Sequence, residues 1–146
     1  MKTKIQKIQL TSKKQFEVID ITSKIEETVR SSGIVNGIAV IFSPHTTASV
    51  KINHNEPLLL QDIMKLLYRT APVDINYAHD LFEIRTKVEE QERSNGHAHV
   101  KAFLLGSSET IPIEDSALSL GDKQSIFFVE LDGGRERNVV VRVLGE

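Results

Sequence analysis

Apolar and β-branched residues recur roughly every second position over residues 4–10 and 15–21, and the polar run Thr11-Ser12-Lys13-Lys14 separates them. That period predicts two strands joined as a hairpin. Ser23 and Glu26 then stand at capping-box spacing and Gly33 stands where a left-handed C-terminal cap belongs, so residues 24–32 are predicted helical. Residues 37–42 form an unbroken apolar run with β-branched members, the mark of a central strand buried on both faces. Residues 47–53 alternate again and predict the next strand, with Ser43-Pro44-His45-Thr46 turning the chain between them.

Asn55 is placed to cap a second helix whose first turn holds Glu56 and Pro57, with helical apolar spacing over residues 58–67 and Pro72 as the stop. Residues 71–95 are polar, charged and without clear period, which predicts a long loop of the kind that forms lids or solvated excursions. Good helix formers followed by Gly106 make residues 98–105 a third, short helix. Two residues span roughly 200° of a helix, so this choice places His99 rather than His97 in any common site. Strands are predicted at residues 110–113, 125–131 and 138–144, the last two joined by a tight turn in which Gly133 and Gly134 supply two positive φ angles. Glu130 would then pair with Arg137 across the ladder and extend the stripe of Ile126 and Phe128.

Composition narrows the classes. The 146 residues suit a single domain over residues 1–146, with mixed helices and strands and a mainly antiparallel sheet, an α+β fold. With 18 basic against 20 acidic residues there is no excess positive charge for neutralising phosphates, so no nucleic-acid partner is expected. No run approaches the ~18 apolar residues of a membrane span, so no membrane partner is expected, and the N-terminal residues lack a signal-peptide core. The expected location is the cytoplasm. Without cysteine there is no thiolate chemistry, and any metal must be held by nitrogen and oxygen.

Four of the five histidines fall in three polar segments: Pro44-His45-Thr46-Thr47-Ala48-Ser49, Tyr77-Ala78-His79-Asp80 and His97-Ala98-His99-Val100-Lys101. If these segments converge, His45, His79 and His99 are the candidate ligands of a divalent metal, zinc before magnesium, with Asp80 as a further ligand or a carboxylate that orients an imidazole. His45, His99, Asp80 and Glu130 are the acid–base candidates. Lys101 and Arg137 would grip a phosphate or pyrophosphate. The Thr46, Thr47 and Ser49 hydroxyls would bind substrate or cap backbone groups in the turn.

The ordered set of His-Thr-Thr-Ala-Ser at 45–49, Asn53, Pro57, Tyr77 with His79-Asp80, His99 with Lys101, Gly106, Pro112, Gly121 with Gln124, and Glu130 with Arg137 resembles the YjbQ-like family across nearly the whole chain. His54 stands where relatives commonly have glutamate, and no tryptophan precedes Gln124. The resemblance implies an α+β fold with a mainly antiparallel sheet and a homotrimer with sites near subunit boundaries. It adds Asn53 to the substrate-binding candidates. It also implies a thiamine-phosphate synthase-like transferase acting on phosphorylated small molecules. A metal-dependent hydrolase and a noncatalytic trimeric ligand-binding protein are the alternatives.

Overall fold

Two antiparallel sheets stack around one apolar interior. A computed structural model describes residues 1–85, 87–90 and 92–146. The strands are β1 (Lys2–Thr11), β2 (Glu17–Asp20), β3 (Gly37–Phe42), β4 (Ala48–Asn53), β5 (Ser108–Glu114), β6 (Ala117–Leu118), β7 (Ser125–Glu130) and β8 (Glu136–Gly145). The helices are α1 (Thr22–Arg30), α2 (Pro57–Thr70) and α3 (Gly96–Leu105), with one 3-10 turn at Ala78–Asp80. The larger sheet has the order β1-β8-β3-β5-β6 and the smaller one β2-β7-β4. The fold is α+β in a single domain, as the sequence pattern predicts.

Strand alternation sends one side chain of every pair inward, and the inner faces meet in a core of Ala39, Ile41, Val50, Ile111, Ile113, Ile126, Phe128, Val139, Val141 and Val143. A second, smaller cluster on the far side of the β2-β7-β4 sheet packs Phe127, Val129 and Leu131 against Leu67 of α2 and Ala98 and Ala102 of α3. That cluster is what seats α3.

Two predicted hairpins are absent. β1 pairs with β8 in one sheet and β2 with β7 in the other, so residues 11–16 form a corner between sheets. Likewise β7 lies between β2 and β4, while β8 lies between β1 and β3. Neither Gly133 nor Gly134 has positive φ. Their small size answers to crowding: a Cβ on Gly133 would come 2.0 Å from the Lys14 carbonyl oxygen, and one on Gly134 2.6 Å from that of Ser12. The two sheet corners press on each other there, and only glycine fits.

Other local differences have plain causes. α1 begins at Thr22 without a side-chain cap at Ile21; the Asp20 carboxylate instead accepts the Thr22 N–H, and the Ser23/Glu26 box does not form. Glu56, not Asn55, caps α2 by accepting the Leu58 and Leu59 N–H groups, while Asn55 donates to Asp20. Gly33 does take positive φ after α1. β3 is central but single-faced: Ala39 and Ile41 are buried, whereas Ile38 and Phe42 on the outer face remain 37% and 41% exposed. Among the described residues no helix is long and apolar enough to cross a membrane.

Candidate functional site

His45 sits where β3 has run out but its partner β8 has not. Asn138 has a backbone N–H and C=O left over on that side, and His45 Nε2 lies 3.1 Å from both the nitrogen and the oxygen, accepting from the N–H in one tautomer or donating to the C=O in the other. Pro44 has no N–H to offer, so the imidazole extends the ladder in its place. The ring edge also meets Phe128, with centroids 6.3 Å apart. Nε2 is thus committed, and Nδ1 is the nitrogen left for chemistry.

α3 forms the facing wall. Residues at i, i+3, i+4 and i+7 share a helix side, and His99, Ala102, Phe103 and Gly106 line a cleft of about 350 Å³ with His45, Thr46 and Ala48. β4 clamps the far end of α3: the Ser49 hydroxyl donates to the Gly106 carbonyl, and Lys51 Nζ donates to the Leu105 carbonyl at 2.9 Å while pairing with Glu109 at 2.8 Å. These contacts satisfy carbonyls orphaned at the helix end. At the near end the Asp80 carboxylate accepts the Gly96 N–H at 3.0 Å. Gly96 is needed because Tyr77 Cβ would lie 2.5 Å from any added Cβ.

Arg137 lies beside the His45 wall, locked in place. Its Nε and Nη2 reach Glu130 at 2.9 and 2.6 Å, and Nη2 also donates to the Thr47 hydroxyl at 2.8 Å. Glu130 is 0% exposed and accepts further bonds from Ser12 Oγ and from the Leu131 and Asp132 N–H groups. Burial pushes the Glu130 carboxyl up, but the Arg137 and Ser12 hydrogen bonds outweigh it, so its pKa lies below the usual carboxylate value. With every acceptor direction occupied, Glu130 orients Arg137 and is closed to substrate.

Burial, then the Arg137 charge, lowers the pKa of His45. Burial, then the neighbouring His79, lowers that of His99. Both cleft imidazoles are therefore neutral near pH 7, each with one donor and one acceptor nitrogen.

The other predicted residues fall elsewhere. Lys101 and His97 share the opposite flank of α3, 2.9 Å apart from Nζ to Nδ1, and neither lines the cleft. An ammonium can only donate, so His97 Nδ1 accepts from Lys101, and the Gln15 side-chain amide nitrogen lies 3.4 Å from His97 Nε2. His79 packs on His99 with ring centroids 4.5 Å apart. Asn53 is exposed, caps the His54 N–H, and borders a separate apolar groove of about 190 Å³ under α2. Among the described residues no three His, Asp or Glu side chains form a metal-binding group. His79 and His99 adjoin each other and His45 keeps Nδ1 free, but among the described residues the three are not gathered into one ligand group. No step below passes through a metal.

Sequence reasoning missed Asn138, Phe103, Glu92 and Asp132. Asp132 is buried and collects Asn95, Arg93 and Arg135, tying the segment before α3 to the end of β7. The only sequence signal was the pair Asp132 and Arg135 on either side of a double glycine.

Comparison with known proteins places these features in a wider set. The family described as UPF0047 protein YjbQ-like matches residues 6–146. A UPF0047 protein of Methanothermobacter thermautotrophicus is 41% identical over 146 residues, covering 100% of this chain and 95% of that one. YugU of Bacillus subtilis, also a UPF0047 protein, is 32% identical, covering 94% and 97%. A crystal structure of a protein of unknown function from Sulfolobus solfataricus superimposes with a TM-score of 0.90 at 36% identity, covering 99% of both chains.

Proposed function

The chain belongs to the UPF0047 YjbQ-like family, and from that premise and the cleft geometry we propose that it is an enzyme acting on a small phosphorylated molecule bound between His45 and His99. The observation that carries this reading is two neutral imidazoles lining one open cleft, one of them beside a fixed cation. Such a pair can accept and donate protons without a change in net charge. Arg137, immobilised by Glu130 and Thr47, acts on His45 more strongly than the carboxylate paired with it, so the residual field there favours an anionic ligand. Phe103, 87% exposed on the cleft wall, offers a flat apolar surface to a ring.

The finer proposal is a thiamine-phosphate synthase-like transfer. A thiazole-phosphate nitrogen forms a bond to the methylene carbon of a pyrimidine-methyl pyrophosphate, and the carbon–oxygen bond to pyrophosphate breaks. The N–H of a neutral imidazole donates to the departing oxygen, and the Arg137 field stabilises its charge. Lys101, on the other flank of α3, takes no part in this step. The homotrimer is part of the proposal; Ile38 and Phe42 on the outer sheet face and Phe103 and Leu104 on α3 are apolar surfaces that assembly would cover.

Incubating the purified chain with both phosphorylated substrates and following pyrophosphate release tests this. His45→Gln and His99→Gln are each expected to lower turnover at least ~100-fold. Undiminished turnover in both overturns the reading. Ligand binding by calorimetry without turnover in the wild type would identify a binding protein.

A further inference from the structure

The segment between α2 and α3 reaches into the cleft wall at one point. At the 3-10 turn it sets the His79 ring against His99, planes at 65° and centroids 4.5 Å apart. His79 Nε2 is buried, has no hydrogen-bond partner among the described residues, and faces Glu92 Oε1 at 3.8 Å. Glu92 is held from two sides: Arg85 Nη1 donates to Oε1 at 2.8 Å, and the Glu89 N–H donates to Oε2 at 3.0 Å. Arg85 Nη1 also donates to the His79 carbonyl at 3.3 Å, so a single guanidinium joins the carboxylate to the backbone that carries the imidazole.

An edge contact between two rings sets orientation only weakly, because its energy is small and tolerant of angle. A carboxylate 3.8 Å from one ring nitrogen, beyond hydrogen-bond distance, biases that orientation through its charge. We propose that Glu92 is a positioning residue of the cleft, fixing the His79 ring and through it the orientation of His99. This rests on the reading of His99 as a group that works in the cleft. The charged and titratable groups facing His99 are His79, Glu92 and Arg85 from this segment and Asp132 from the end of β7. Glu92 thus governs a site to which its own side chain does not belong.

The test is a histidine-ring carbon–proton NMR spectrum of the full chain at one fixed neutral pH, with His79 and His99 assigned by their loss in His79→Gln and His99→Gln. Glu92→Gln keeps the side-chain size and removes the charge. The expected result is displacement of both the His79 and His99 resonances, unmoved His45 and His54 resonances, and partial recovery in Glu92→Asp. A His99 resonance unmoved in Glu92→Gln overturns the proposal. So does simultaneous movement of all the imidazoles, which would mark Glu92 as a general support of the fold. The measurement uses no substrate, so its outcome is independent of whether the proposed transfer occurs.

Discussion

Glu130 and Arg137 join the two sheets through the interior: the carboxylate of β7 and the guanidinium of β8 meet in a two-point ion pair at 2.9 and 2.6 Å, with Arg137 only 6% exposed. The pair replaces hydrophobic packing at the end of the sandwich. Removing one member leaves an uncompensated buried charge, so Glu130→Gln or Arg137→Met is expected to cost about 3–5 kcal/mol. Replacing both together by apolar residues of similar volume should cost far less than the two single costs added. Denaturant unfolding of the three variants measures this.

The contact between these residues was legible in the sequence, but its geometry was not. Gly133-Gly134 between two apolar strands is a hairpin signature, and consecutive strands usually neighbour each other. Here the chain uses the glycines to pass close to Ser12 and Lys14, a long-range contact that no local pattern encodes. The same holds for β1 and β2, whose periods were read correctly and whose partners lie more than 100 residues away. α3 was legible because helix formers and Gly106 act locally, and with it the choice of His99 for the cleft. What the helix argument left out is that His97 reaches Lys101 one turn on.

The β4 clamp on α3 gives a separable prediction. Ser49 is fully buried and its hydroxyl donates to the Gly106 carbonyl. Ser49→Ala leaves that carbonyl unsatisfied and is expected to cost about 1–3 kcal/mol. Faster hydrogen exchange confined to the last turn of α3 would confirm the local origin; unchanged exchange there would contradict it.

Gly96→Ala tests the other end. A methyl group there meets Tyr77 Cβ at 2.5 Å and must displace the turn that carries His79 and Asp80. Helix propensity alone would reward the change by roughly 1 kcal/mol. A net loss of stability, read by thermal unfolding, is expected, because backbone and not a flexible tip has to move.

Stability should fall on mild acidification, and the sign follows from the imidazoles. Burial lowers the pKa values of His45, His97 and His99 in the folded chain. Below the unfolded value of about 6.5 the unfolded chain binds protons that the folded one does not, so stability declines as pH drops from 7 until the folded values are passed. A second decline follows at lower pH, when Glu130 is protonated, since its folded value lies below its unfolded one. Unfolding midpoints measured from pH 7.5 to 5 should show the first decline, and His97→Gln should flatten it.

Lys101 provides the sharpest conflict between stability and retention. It is 5% exposed, its one hydrogen bond among the described residues is to the His97 imidazole, and burial lowers its pKa. A buried ammonium without a carboxylate partner is costly, whereas a methionine of similar length fills the same space at no such cost. Lys101→Met is therefore expected to raise stability at neutral pH by about 1–3 kcal/mol, an increment that should shrink as pH rises and the amine in the wild type loses its proton. A variant that is instead less stable at every pH would show that the Lys101–His97 hydrogen bond is worth more than the desolvation it demands. A stabilised variant would mean that this amine is kept for a purpose other than holding the fold together.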